Sequence, residues 1–187
     1  CAVKFGKVVD NSMGFTPLEG LVMGTRCGDV DPGALEFLAK KENLDFQQVM
    51  TILNQESGVL GISKNYSSDF RELKDAEIKY NDMAALAREI FAYKVAKYVG
   101  SYAAAMNGVD NIVFTAGVGE NDSDIREEIC EYLGFLGITI DEVKNREQAE
   151  AVKISDWSSK VNVLVIKTNE ELEIAREAAA VAAQIGA

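Results

Sequence analysis

The segment Asn111-Ile-Val-Phe-Thr-Ala-Gly-Val-Gly-Glu-Asn121 runs from an apolar strand through a glycine-bearing turn towards a helix over about Ser123 to Leu133. Branched and aromatic side chains favour a pleated strand over 111–115, and Gly117 and Gly119 free the backbone to turn sharply. Downstream, Ile138-Thr-Ile140 reads as a short strand, Val161 to Ile166 as a second, and about Asn169 to Ile185 as a terminal helix. Upstream, Asn81 to Met106 reads as a long amphipathic helix, with Met83, Ala87, Ile90, Phe91, Val95, Tyr98 and Tyr102 recurring every three or four residues between charges. Strands alternating with helices define an α/β fold.

The N-terminal half extends the pattern. Ala2-Val-Lys-Phe5 and Lys7-Val-Val-Asp10 read as two strands of a tight hairpin at Gly6. Asp31-Pro32 supplies an N-cap and an N1 proline for a helix to about Lys41, and Asp45 starts another to about Glu56. A turn region over Gly58 to Ser63 follows, and then Ser67-Ser-Asp-Phe-Arg71 before a further helix. Opening on a strand, with neither a methionine nor a leader, points to upstream residues that are absent and to a start in mid-sheet. The sequence has no internal repeat, low-complexity segment or Gly-, Ser- or Pro-rich linker.

The chain has 187 residues, 48% hydrophobic and 26% charged, an ordinary balance for a soluble globular protein. Its 30 acidic and 19 basic residues give a net charge of −11, which opposes binding to nucleic acid or to an anionic membrane. No apolar stretch approaches bilayer length and no signal peptide is evident, so a cytoplasmic location is expected. Cys1, Cys27 and Cys130 form no Cys-x-x-Cys pair, pointing to reduced thiols rather than a disulfide framework or zinc site. With no histidine, Ser-His-Asp and Cys-His chemistry and histidine-ligated metals are excluded for this chain alone.

With a charge of −11, any phosphate chemistry must rest on local arginines and backbone amides. Asp10 to Pro32 surrounds Arg26 with Gly14, Gly20, Gly24 and Gly28, so its five-donor fork has little bulk around it and can reach a carboxylate or a phosphoryl group. The same loop also suits a solvated surface arginine. Gly117 to Asn121 lies where a buried strand ends, a position used for phosphates and also by plain strand-to-helix turns; it is neither a P-loop nor a full dinucleotide fingerprint. Taken alone, Asp69 is an N-cap with Arg71 solvated behind it, and Lys167-Thr-Asn-Glu-Glu171 caps and charges the last helix. Asp31 caps, Asp29 orders the arginine loop, and Tyr93, Tyr98 and Tyr102 are packing residues of the core or of a dimer. Glu127, Glu128 and Glu131 form a solvated face.

The run Asp10-Asn-Ser-Met-Gly-Phe-Thr-Pro-Leu-Glu-Gly-Leu-Val-Met-Gly-Thr-Arg-Cys-Gly-Asp-Val-Asp-Pro32 resembles the signature of the acetate kinase family over more than twenty positions, departing at Asn11 and Cys27. The resemblance implies that Arg26 stabilises the phosphoryl group in flight. Ala116 to Asn121 resembles the family's Gly-Gly-Ile-Gly-Glu-Asn adenosine loop, with Ala116 and Val118 as departures. It implies nucleotide contacts at Gly117, Val118, Gly119, Glu120 and Asn121. Ser67 to Arg71 resembles Ser-x-Asp-x-Arg, putting Asp69, Phe70 and Arg71 beside adenine and ribose, and Thr168-Asn-Glu-Glu171 implies that Glu170 helps to hold Mg²⁺. The implied fold is the second α/β domain of the sugar kinase, actin and Hsp70 superfamily, ribonuclease H-like and incomplete at its N-terminal edge. Residues 1–187 are then a C-terminal nucleotide-binding domain. The implied reaction is ATP plus acetate to ADP plus acetyl phosphate, by a homodimer formed through this domain. The family's His-Leu-Gly-Asn-Gly phosphate loop and first domain are not in the sequence, so the isolated chain is expected to be inactive. A propionate kinase and a non-catalytic dimerisation or nucleotide-binding module are the alternatives; a butyrate kinase fits less well.

Overall fold

In a computed structural model that describes residues 1–185, the chain opens with a hairpin in which β1 (Ala2–Lys4) and β2 (Lys7–Asp10) pair antiparallel. Phe5 and Gly6 between them have φ of 52° and 74°, the left-handed pair whose turn matches the twist of adjacent strands. Residues 186 and 187 of the expected domain lie outside the described residues.

After an irregular loop, α1 (Pro32–Glu42) starts where Asp31 accepts from the Gly33 amide, and α2 (Phe46–Gln55) starts on a capping box formed by Asp45 and Gln48. The expected turn region at Gly58 to Ser63 is instead a one-turn helix, α3 (Gly58–Ile62). Fully buried Val59 gives α3 an anchor in a small core with Leu73, Ala76, Ala84 and Ala87, so a segment too short to persist alone is held by packing. Helices α4 (Phe70–Ile78) and α5 (Asp82–Met106) begin at side-chain caps from Asp69 and Asn81.

Helix α5 is the axis of the molecule: α3, α4, the hairpin and the later α7 all pack on it. Its buried residues are Ala84, Ala87, Ala92, Ala96 and Ala103, with Arg88 and Tyr102 among them. Of the larger residues of the expected apolar stripe Tyr102 is buried, whereas Met83, Ile90, Phe91, Val95 and Tyr98 are only partly buried. Alanine lets neighbouring helices approach closely, so the small residues are the more buried ones.

The strand β3 (Asn111–Phe114) leads into the short helix α6 (Ala116–Asn121), then α7 (Ser123–Tyr132) and α8 (Glu142–Asn145). The strands β4 (Ala151–Lys153) and β5 (Asn162–Ile166) and the terminal helix α9 (Glu170–Ile185) follow. The sheet order is β3-β5-β4, with β3 and β5 parallel and β4 antiparallel on the edge. The expected strand at Ile138 to Ile140 reduces to one bridge between Ile140 and Ser155, because Gly137, with φ of 74°, turns the chain just before it and Asp141 already caps α8. Ile112, Phe114, Ile125, Ile129, Val163 and Val165 fill the larger core between sheet and helices.

The hairpin does not join that sheet. Among the described residues β1 hydrogen-bonds as a strand only to β2, and a groove of about 860 Å³ is lined by the hairpin, by β3 and by Tyr98 and Tyr102 of α5. Lys4 Nζ donates to the Met106 carbonyl at 2.8 Å and ties the hairpin to the end of α5.

Candidate functional site

The irregular loop holding Arg26 is pinned on several sides. Gly20 and Gly28 have φ of 101° and 68°, and a Cβ at Gly28 would lie 2.6 Å from the Gly20 oxygen. Asp29 accepts from the Gly20 amide at 2.9 Å and from the Tyr98 hydroxyl at 2.6 Å, so it orders the loop, as expected of it, and ties it to α5. Partial burial, with Asp29 beside it, pushes the Tyr98 hydroxyl above its usual pKa.

Backbone bonds from Cys27 to Leu53, Ser57 to Thr25, Val59 to Met23 and Leu60 to Gly24, each 2.9–3.0 Å, seat the loop on α2 and α3. Gly58 is required there, since a Cβ would sit 2.3 Å from the Met23 oxygen. On this frame the Arg26 side chain is exposed. Its one side-chain hydrogen bond is to the Met23 sulfur at 3.8 Å, and among the described residues no carboxylate pairs with it. Thr25, Arg26, Gln47, Thr51, Asn54 and Gln55 edge a shallow polar depression of about 390 Å³.

A second segment follows. Asp69 N-caps α4 through the Arg71 amide at 2.8 Å, and the Arg71 guanidinium folds back on it with Nη2 to Oδ2 at 2.6 Å. The Arg71 contact holds the Asp69 carboxyl down at about 2. The two therefore form a charged pair at the helix start, and Arg71 remains largely exposed. The Ser68 carbonyl, just before them, lies 3.2 Å from where a Cβ on Gly24 would stand, so this segment abuts the arginine loop.

In the third segment the sharp turn falls on Ala116 rather than on the glycines. Ala116 has φ of 58°, whereas neither Gly117 nor Gly119 has a positive φ. The reason is that 116–121 coils into α6 directly from the strand, and the residue at that junction must be left-handed. The opening amides are only partly engaged: the Ala116 amide donates to Glu120 at 2.7 Å, Thr115 places no side-chain cap on α6, and in the first turn of α7 the Ile125 amide donates to Asp122.

The Glu120 carboxylate also accepts from the amide and hydroxyl of Thr168 at 2.8 and 2.9 Å, and these bonds lower its pKa. Glu120 therefore fastens this turn to the end of β5. Asn121 Nδ2 donates to the Gly117 carbonyl at 2.8 Å, and Val118 is packed against the larger core. A Cβ at Gly117 would meet nothing within 4 Å. Buried Arg126 grips the Gly119 and Glu120 carbonyls at 2.8 and 3.0 Å and also holds Asn145.

Glu170 is exposed at the first residue of α9, with Asn169 capping the helix through the Leu172 amide. Among the described residues no group of three or more metal-ligating side chains exists. A lone carboxylate suits a magnesium ion whose other ligands are phosphate oxygens and water, and does not suit an all-protein cage.

The arginine loop and the Asp69 segment are thus joined through Gly24 and Ser68, and the Ala116 turn and the end of β5 through Glu120 and Thr168. Sequence reasoning missed the buried arginine struts behind them, Arg88 paired with Asp122 and Arg126 hydrogen-bonded to Asn145, because their partners lie 34 and 19 residues apart.

Solved structures share this fold. An acetate kinase from Porphyromonas gingivalis superposes with a TM-score of 0.89 at 48% identity, covering 94% of this chain and 44% of that one. A propionate kinase from Francisella tularensis gives 0.88 at 43% identity with the same coverage. The fold is thus half of an actin-like α/β ATPase unit. The chain belongs to the acetokinase family, whose sequence pattern matches residues 1–176. Acetate kinase of Thermosipho melanesiensis is 60% identical over 177 residues, 94% of this chain and 44% of the relative, and that of Thermotoga maritima is 54% identical over 187 residues, 99% and 46%. The chain spans a little under half the length of these relatives.

Proposed function

We propose that this chain is the C-terminal, nucleotide-binding half of an acetate kinase, catalysing reversible phosphoryl transfer from ATP to acetate to give ADP and acetyl phosphate. The observation that carries the reading is Arg26: a guanidinium without a carboxylate partner among the described residues, displayed on a loop pinned by Gly28, Gly58, Asp29 and Tyr98. The close backbone contacts of the loop give this exposed guanidinium a fixed point of attachment, and a loose phosphoryl transition state gains most from fixed donors around its equatorial oxygens.

Arg26 then stabilises the group in transfer. Asp69, Phe70, Arg71 and the Gly117 to Asn121 turn hold the adenosine. In the turn, the open space at Gly117 admits the ligand, while Glu120 and Asn121 keep the backbone in place. Glu170 would help to hold Mg²⁺, which neutralises phosphate charge when bound. The enzyme is a cytoplasmic homodimer through this half; among the described residues no helix is long and apolar enough to cross a membrane, and the charge of −11 disfavours nucleic acid and anionic lipid.

The test is Arg26→Ala in the full-length kinase. Turnover is expected to fall by at least about 3 kcal/mol at the chemical step, with the KM for ATP changing much less. Unchanged turnover would reduce Arg26 to a structural residue of the loop. A propionate-preferring enzyme is the second reading, favoured by the nearly equal likeness to a propionate kinase structure. The ratio of kcat/KM for the two acids decides between them.

A further inference from the structure

Arg88 is one of the buried residues of α5, with a side chain only 3% exposed. Ala84, Ala87 and Ala92 around it are fully buried. A charge in that position is expensive to desolvate, and an apolar side chain of similar size would serve packing as well or better. The guanidinium is nevertheless fully engaged. Nη1 donates to Asp122 Oδ2 at 2.6 Å and Nη2 to Oδ1 at 3.4 Å; Nε donates to Glu77 Oε2 at 2.6 Å; Nη1 also reaches the Phe70 carbonyl at 3.5 Å.

These partners are not scattered. Phe70 opens α4 and Glu77 lies in its last turn, so one fork holds α4 near both of its ends. Asp122 directly follows α6 and N-caps α7 through the Ile125 amide at 3.2 Å. Lys74 adds a half-exposed outer clamp from α4 to Asp124 at 2.8 Å and to Asp122 at 3.6 Å. The Phe70 ring meets Phe91, nearly one turn further along α5, edge-on at 4.6 Å. The two segments so joined are those assigned above to the adenosine side, Asp69 to Arg71 and Ala116 to Asn121.

We propose that Arg88 is a positioning residue for the nucleotide, a strut that sets the separation of the Asp69-Phe70-Arg71 segment from the Ala116–Asn121 turn. This rests on the nucleotide-binding reading above. The two walls of the adenosine site come from α4 and from the β3–α7 connection, and among the described residues nothing else buried spans them with directional bonds in three directions. Loss of the fork lets the β3–α7 wall shift, while α4 stays packed through Leu73 and Ala76 against α3, on which the Arg26 loop is seated. The defect should therefore appear in nucleotide affinity and not in the chemical step.

The test uses the full-length kinase and compares Arg88→Lys, the double variant Arg88→Met with Asp122→Asn, and Glu77→Gln, which alters a partly exposed partner and leaves the core intact. Steady-state kinetics give kcat and the KM values for ATP and acetate, and adenosine as a competitive inhibitor gives Ki. In the first two variants the KM for ATP and the Ki for adenosine are expected to rise together by about tenfold, the scale of coupling within one ionic network. The kcat and the KM for acetate should stay within about twofold, and Glu77→Gln should show a smaller shift of the same kind.

A lowered melting temperature with unchanged KM for ATP and Ki for adenosine would make Arg88 a stabilising residue only and overturn the proposal. So would a fall in kcat at constant KM. If neither Arg88 variant folds, Glu77→Gln decides alone, by the presence or absence of its shift. Failure of the underlying reading is separately visible, since adenosine would then not compete with ATP in the unaltered enzyme.

Discussion

Ala116 and Gly117 are neighbours with opposite requirements. Ala116 is held at φ of 58°, where an L-residue is strained by roughly 1–2 kcal/mol, while glycine there would add roughly 0.4–1 kcal/mol of unfolded-state entropy. Ala116→Gly is therefore expected to raise stability by about 0.5–1 kcal/mol, read from the denaturant midpoint; a loss would show that the left-handed turn is not strained. Gly117 has ordinary φ, lies in a helix and faces open space, so Gly117→Ala is expected to leave stability level or improve it by up to about 1 kcal/mol. The same methyl group enters the space assigned to adenosine, so the KM for ATP should rise even as the protein becomes no less stable. A KM that did not move would take Gly117 out of the site. Cys130 gives a pH-dependent check: burial pushes its thiol up to about 12 from an ordinary 9.0, whereas Cys1 is exposed. The folded state thus holds the proton that the unfolded state releases, and stability from this group is lost as pH rises from about 9 towards about 12. Alkylation with iodoacetamide at pH 8 should label Cys1 and spare Cys130 until the protein is unfolded.

At the scale of elements, what could be read in advance were the beginnings of helices, because a cap is local. Asp31, Asp45, Asp69 and Asn81 each accept from amides two or three residues on, and a helix starts at each. What could not be read were elements made by distant partners. The strand β4 is a charged-edged triplet that exists because Val152 pairs with Val165, and α3 exists because Val59 has a core to enter. The site divides in the same way. Arg26, Asp69 and the Gly117 turn stand in contiguous motifs, which is why the sequence offers them as candidates. Glu120 tying Ala116 to Thr168, and Arg126 holding two carbonyls, are contacts that no local pattern encodes. The dependence of the arginine loop on α3 is open to direct trial. Gly58→Ala puts a Cβ 2.3 Å from the Met23 oxygen at φ of 65°, and is expected to cost at least about 2 kcal/mol of stability. In the full-length kinase, kcat should fall as well, because Arg26 is carried on the strand of chain that must move. Full activity would mean that the seat of the loop does not fix Arg26.

For the whole molecule, charge and exposed edges set the expectations. The groove between hairpin and sheet leaves the strand edges of β1 and β3 unpaired, and Phe15, Trp157 and Phe135 are largely exposed. Edges and apolar rings of this kind favour association, against which a charge of −11 acts at low salt. Light scattering is therefore expected to show self-association of the isolated chain that strengthens with salt; a monomer at high concentration and high salt would count against a dimer through this half. The same charge bears on ligands, since it gives no general attraction for ATP. In this chain the contacts proposed for adenosine are built and braced, at Asp69, Arg71 and Gly117 to Asn121. Towards the phosphates the side chains proposed are Arg26 and Glu170, one cation and one anion, and among the opening amides that of Ala116 is taken by Glu120 and that of Ile125 by Asp122. Calorimetry on the isolated chain and on the full-length kinase should then show adenosine losing less affinity than ATP between the two. No magnesium-dependent acetyl hydroxamate should form from ATP and acetate with the chain alone. If ATP bound the isolated chain as tightly as the full enzyme, the phosphate contacts would have to lie within residues 1–187, and the division of labour between the halves would be wrong.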